Sequence, residues 1–98
     1  MNIKRSINSD SIDIFVNDKL TSEFKFFGEE IASGDQRNVT IHFGIESAID
    51  SSGIGSLVSL HEKLKRRGGK LKLIVTKKIL NIFEMANVST FFDISERD

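Results

Sequence analysis

The apolar and polar positions change period along the chain, and the changes mark its elements. Ile12, Ile14 and Val16 alternate with more polar positions, the period of a half-buried strand. "NIKRSI" before them predicts a short partner strand, paired across the turn "NSDS". Leu20, Phe24, Phe27 and Ile31 then recur at steps of four, three and four, which places them on one stripe of a helix. Thr21 or Ser22 can cap that helix, Glu23 suits its first turn, and Gly34 stops it. In "NVTIHFGI", Val39, Ile41 and Phe43 face one way, and Thr40 and His42 the other.

A second helix follows "AIDSSG" and carries Ile54, Leu57, Val58, Leu60 and Leu64. "RRGGK" ends it with basic residues and then glycine. "KLKLIVT" predicts a strand with Leu71, Leu73 and Val75 on one face. Residues 77–87 predict a short helix through Ile79, Ile82, Phe83 and Ala86, and "TFFDIS" a closing strand. The expected order is β-β-α-β-α-β-α-β. Helices between the later strands imply crossovers, hence an α/β fold with a small, mixed, mostly parallel sheet. Clean alternation implies helices on one sheet face, leaving Thr40, His42, Lys72 and Phe15 on the other.

Composition narrows the function classes. Ninety-eight residues make one domain, taken as 1–98. The formal net charge is +0, so no global basic field points to nucleic acid. Cysteine is absent, which removes disulfides and thiolate metal sites and fits a reducing cytoplasm. No apolar run reaches the roughly 20 residues of a membrane span, and the N-terminus lacks a signal-peptide core. His42 and His61 have no third ligand for a metal. The basic residues Lys63, Lys65, Arg66, Arg67, Lys70 and Lys72 read as a solvated helix end that complements its dipole. Phe26 lies off its helix stripe and is either a partner contact near Ser51 or part of a deeper core; Leu80 and Met85 pose the same choice.

The candidate chemistry is Asp50-Ser51-Ser52-Gly53, at the junction of a parallel strand and a helix, where α/β sheets place their sites. Two readings stay open there. In one, a serine is simply the helix N-cap, worth about 1 kcal/mol, and a glycine permits the turn. In the other, Ser51 is an exposed hydroxyl that can take a phosphate, which helix N-termini tolerate. Gly53 and Gly55 would then keep the surface low for a docking protein, with Ser52 as the cap and Asp50 holding the loop. Nucleophilic catalysis fits poorly: there is no Gly-x-Ser-x-Gly elbow, and neither histidine has a route to a triad. Gly53-Ile54-Gly55 is too short for a dinucleotide loop, and no Walker lysine follows.

"IDSSGIGSLVSLHEKLKRRGGKLKLIV" resembles the signature of the STAS domains, specifically the bacterial anti-sigma factor antagonists, and "ILNIFEMANVSTFFDI" matches the family's next helix and last strand. The resemblance implies the STAS fold, no catalytic activity and no cofactor. It implies that Ser51 is phosphorylated by a serine kinase of the histidine-kinase-like ATPase type, which is also the anti-sigma factor, and is restored by a PP2C-type phosphatase. Asp50, Ser51, Ser52, Gly53, Ile54 and Gly55, with Leu20 and Thr21, are then the expected partner-binding residues. "DKLT" stands where the family often carries Gly-x-Leu-Asp, so Asp18 replaces the glycine and Thr21 the aspartate. Some STAS domains are instead constitutive subunits of larger assemblies, and that alternative implies no phosphorylation.

Overall fold

The computed structural model describes residues 3–97; Asn2, included in the expected first strand, lies outside the described residues. The first hairpin forms as its alternation requires. β1 (Ile3–Ile7) pairs antiparallel with β2 (Ser11–Val16), and Asn8 N–H closes the turn on Ser11 O at 2.8 Å. After a two-residue strand β3 (Lys19–Leu20) comes α1 (Phe24–Ala32), then β4 (Asn38–Phe43) and a second two-residue strand, β5 (Ala48–Ile49). α2 (Ser51–Arg66), β6 (Lys70–Val75), α3 (Lys77–Met85) and β7 (Asp93–Glu96) complete the chain.

The main sheet runs β1-β2-β4-β6-β7, and only β1 is antiparallel to its neighbour. Register puts Ile14, Ile41, Leu73 and Ile94 in one row across four strands. Ile12, Val39 and Leu71 form the next row. A one-residue slip would turn every one of these side chains to the other face, so burial of this face pins the register. Leu57, Leu60 and Leu64 of α2, Phe24 and Ile31 of α1, and Ile79 and Phe83 of α3 close over it, all buried. The other face carries Phe15, Thr40, His42 and Lys72, as the alternation predicts. Phe15 and His42 stack there at 4.5 Å, and His42 Nε2 lies 2.9 Å from Asp13 Oδ1.

The helix ends follow local chemistry. α2 stops at Gly68, whose φ of +76° only glycine adopts freely. Gly69 N–H then reaches Leu64 O at 2.8 Å and Gly68 N–H reaches Lys65 O at 3.1 Å, the paired bonds of a Schellman cap. α3 ends in the same way on Asn87, at φ 60°.

Several details differ from the pattern reading. α1 is entered through a turn in which Thr21 Oγ1 accepts Glu23 N–H at 3.3 Å, and it ends on Ser33, whose hydroxyl donates to Glu29 O at 2.8 Å, rather than on a left-handed Gly34. The last strand begins at Asp93, because Phe92 turns into the core against Phe83 at 5.7 Å while Phe91 stays exposed. Phe26 is 76% exposed and lines a groove with Ile3, Glu23, Phe27 and Glu30, on the β1 side of α1. Met85 is exposed as well, and Leu80 is half-buried. No helix among the described residues is long and apolar enough to cross a membrane.

Candidate functional site

The DSSG turn is placed by the two-stranded ribbon. β3 and β5 pair in parallel, with Lys19 opposite Ala48 and Leu20 opposite Ile49. Ala48 N–H also donates to Asp18 O at 3.2 Å. The pairing therefore fixes the chain as far as Ile49, two residues before α2 begins. Asp50 follows in extended backbone, φ −112° and ψ −179°, the geometry of an N-cap residue.

Asp50, not a serine, caps α2. Its Oδ1 accepts Gly53 N–H at 2.8 Å and the Ser52 hydroxyl at 2.6 Å. Its Oδ2 faces Lys19 Nζ at 3.8 Å. The Ser52 hydroxyl, then the Gly53 N–H, and more weakly Lys19, hold the Asp50 carboxyl below its ordinary value. The expectation that Ser52 is the cap is corrected on this geometry. Ser52 already lies inside the helix, so its hydroxyl donates to the cap instead of replacing it.

The two serines thereby separate. Ser52 is tied down, and its carbonyl accepts the Ser56 hydroxyl at 3.0 Å. Ser51 is exposed, and its hydroxyl has no protein partner among the described residues. Ile54 and Gly55 lie three and four residues on, so they share its helix face. Ile54 is half-buried, and nothing stands within 4 Å of the side-chain direction of Gly55. The result is a low strip with a free hydroxyl at one end and apolar surface beside it.

Two of the expected contact residues lie underneath that strip. Gly53 is buried, and a Cβ there would fall 2.3 Å from Leu20 O and 2.8 Å from Ile49 Cγ1. Its glycine lets α2 rest on the ribbon; it does not lower the outer surface. Leu20 is fully buried in the core, so it supports the site and cannot touch a partner directly. Thr21, half-buried, remains at the surface beside it.

Neither histidine reaches the serines. His42 is held by Asp13 and Phe15 on the open sheet face, and the His61 ring packs against Phe91 at 4.8 Å and Phe92 at 5.8 Å. Pattern reading missed Lys19 and its contact with Asp50. Arg67, read with its basic neighbours as part of a solvated helix end, is corrected: it is half-buried, and its guanidinium donates to Ala32 O and Gly34 O and ties the end of α2 to the end of α1. Lys19 stands inside the stretch "DKLT", and no period of the sequence joins it to Asp50.

Fold and site together define a small mixed α/β domain that presents one unengaged serine at the start of its central helix. The chain belongs to the STAS domain family, whose model matches residues 6–97. Among solved structures, the fold is similar to that of TM1081 of Thermotoga maritima, a candidate anti-sigma factor antagonist. That similarity has TM-score 0.80 and 16% identity over 98% of this chain and 86% of that one. It is similar also to the anti-sigma factor antagonist SpoIIAA in its unphosphorylated form, with TM-score 0.79 and 13% identity over 99% of this chain and 89% of that one. The phosphorylated form of the Bacillus cell-fate determinant SpoIIAA aligns with TM-score 0.66, again at 13% identity, over 99% and 92% of the two chains. At these identities the likeness is one of fold. No curated protein matches the chain in sequence.

Proposed function

We propose that this STAS domain is a phospho-switch of the anti-sigma factor antagonist type, with Ser51 as the residue modified. Unphosphorylated, it binds a serine kinase of the histidine-kinase-like ATPase type that also serves as the anti-sigma factor. Phosphorylated, it releases that kinase, and a PP2C-type phosphatase resets it in the bacterial cytoplasm. The domain itself performs no catalysis. The observation that carries this reading is the split between the serines: Ser52 is engaged by Asp50, and Ser51 is exposed with its hydroxyl unengaged. SpoIIAA, of similar fold, occurs in both phosphorylated and unphosphorylated forms.

Asp50, Ser51, Ser52, Ile54, Gly55 and Thr21 form or border the docking face, and Gly53 and Leu20 support it from below. A phosphate adds roughly −1.5 to −2 charges beside the half-buried Ile54. A loss of about 3 kcal/mol in partner affinity, roughly a hundredfold, is enough for a switch and within what charge at a desolvated contact costs.

The test is capture of partners from native lysate on three baits: the wild-type chain, Ser51→Ala, and the chain carrying phosphoserine at 51. An ATPase-like kinase held by the first two and lost from the third supports the switch. The same partner held equally by all three makes the domain a constitutive subunit of a larger assembly.

A further inference from the structure

We propose that Lys19 is the counter-ion of the modified state: its ammonium leaves Asp50 Oδ2 for the phosphate carried by Ser51. Lys19 is then a positioning residue of the switch. The inference rests on Ser51 as the modified residue and adds how the modification is accommodated.

The β3–β5 pairing puts Lys19 opposite Ala48, two residues before Asp50, and its Nζ reaches within 3.8 Å of Oδ2. That separation is longer than a hydrogen bond, and the two side chains are 61% and 38% exposed. Such a pair is loose and cheap to give up. Asp50 does not depend on it, because Oδ1 already holds Ser52 and Gly53.

Ser51 is the next residue. A phosphate there places most of two negative charges beside a carboxylate that is itself ionised. The two anions repel, and a cation between them offsets the repulsion. Lys19 is the cation that the structure pairs with this turn. The basic residues of α2 lie in its last turn, at the opposite end of the helix. A phosphate near its dianionic state attracts the ammonium more strongly than a single carboxylate does. Exchange needs only a side-chain rotation of an exposed lysine, so the phosphorylated domain keeps its fold. It also makes the turn into a contact surface of altered charge pattern: Lys19, turned outward toward Asp50 before modification, is drawn onto the phosphate after it.

The test uses the full chain with phosphoserine installed at position 51 during translation, so no kinase is required. The ³¹P resonance is followed through the second phosphate ionisation, which lies near about pH 6. Lys19→Met is expected to raise the midpoint by about half a pH unit, the scale of an exposed ion pair. Lys19→Gln should act likewise, and Lys19→Arg should keep the wild-type midpoint. Lys70→Met, a charge removal at the start of β6, beyond the far end of α2, should leave it unchanged. Equal midpoints in the wild-type chain and in both neutral variants at 19 overturn the proposal. So does an equal shift from Lys70→Met, which would mean a general field. Because the phosphate is placed without an enzyme, these outcomes reject the role of Lys19 alone. Failure of phosphate to release the partner in the lysate experiment rejects the switch itself.

Discussion

Gly53 lies so close against Leu20 that a methyl group added to it would stand 2.3 Å from the Leu20 carbonyl oxygen, inside any tolerated contact. The carbonyl is backbone and the methyl is fixed directly to its Cα, so neither can swing aside. Gly53→Ala should therefore lift α2 off the β3–β5 ribbon and destabilise the domain by about 1–3 kcal/mol, the cost of overpacking. Gly55, two residues on, faces open space. Gly55→Ala should stabilise by about 0.5–1 kcal/mol through helix propensity alone. Urea midpoints of the two variants, moving in opposite directions, check the assignment. A bulky Gly55→Phe should keep the fold and lose partner capture.

The state of Asp50 makes stability depend on pH. Its carboxyl titrates below the ordinary carboxylate value, chiefly through the Ser52 hydroxyl and the Gly53 N–H. A depressed folded value means that the unfolded chain binds the proton more readily. Its stabilisation is complete above the ordinary value and is lost as pH falls through the lowered one. Asp50→Asn keeps an oxygen for the cap and removes the charge. It should lower the neutral-pH Tm slightly, by the part the ionised carboxylate supplies, leave the acid-pH Tm nearly unchanged, and so flatten the acid limb of a Tm–pH curve. Asp50→Ala should lower Tm at neutral pH by a few degrees, the scale of a lost cap in a domain of this size.

Arg67 joins the two helix ends through its bonds to Ala32 O and Gly34 O. Removing a half-buried charged donor leaves those carbonyls short of a partner. Arg67→Met should cost about 1–3 kcal/mol. Arg67→Lys should recover only part of it, because an ammonium lacks the fork that serves two acceptors. Denaturant unfolding of the two variants measures both.

Leu20 and Thr21 are neighbours with separable roles. Leu20 is fully buried, so Leu20→Ala should cost about 2–5 kcal/mol as a core cavity. Thr21 Oγ1 accepts one hydrogen bond at the surface, from Glu23 N–H. Thr21→Ala should cost less than about 1 kcal/mol while weakening partner capture. Parallel unfolding and binding measurements on the pair distinguish support from contact.

Strand alternation and helix stripes are local periodicities, and they were enough to place β1, β2, β4, β6 and the three helices. The period of two put Val39, Ile41 and Phe43 inside and Thr40 and His42 outside, because successive side chains on a strand must point to opposite faces. The DSSG junction was legible for the same reason: strand and helix signals meet there with turn residues between them, though periodicity left open which residue caps the helix. What only the tertiary structure decided involves residues far apart in the chain. A two-residue strand has no period to read, so the pairing of Lys19-Leu20 with Ala48-Ile49 was invisible. That pairing puts Leu20 beneath Gly53, brings Lys19 to Asp50, and makes Asp50 the cap, which frees Ser51 and binds Ser52. Periodicity tells which face a side chain takes. Which distant backbone lies against that face depends on how the crossovers pack, and that packing separates the supporting glycine from the open one.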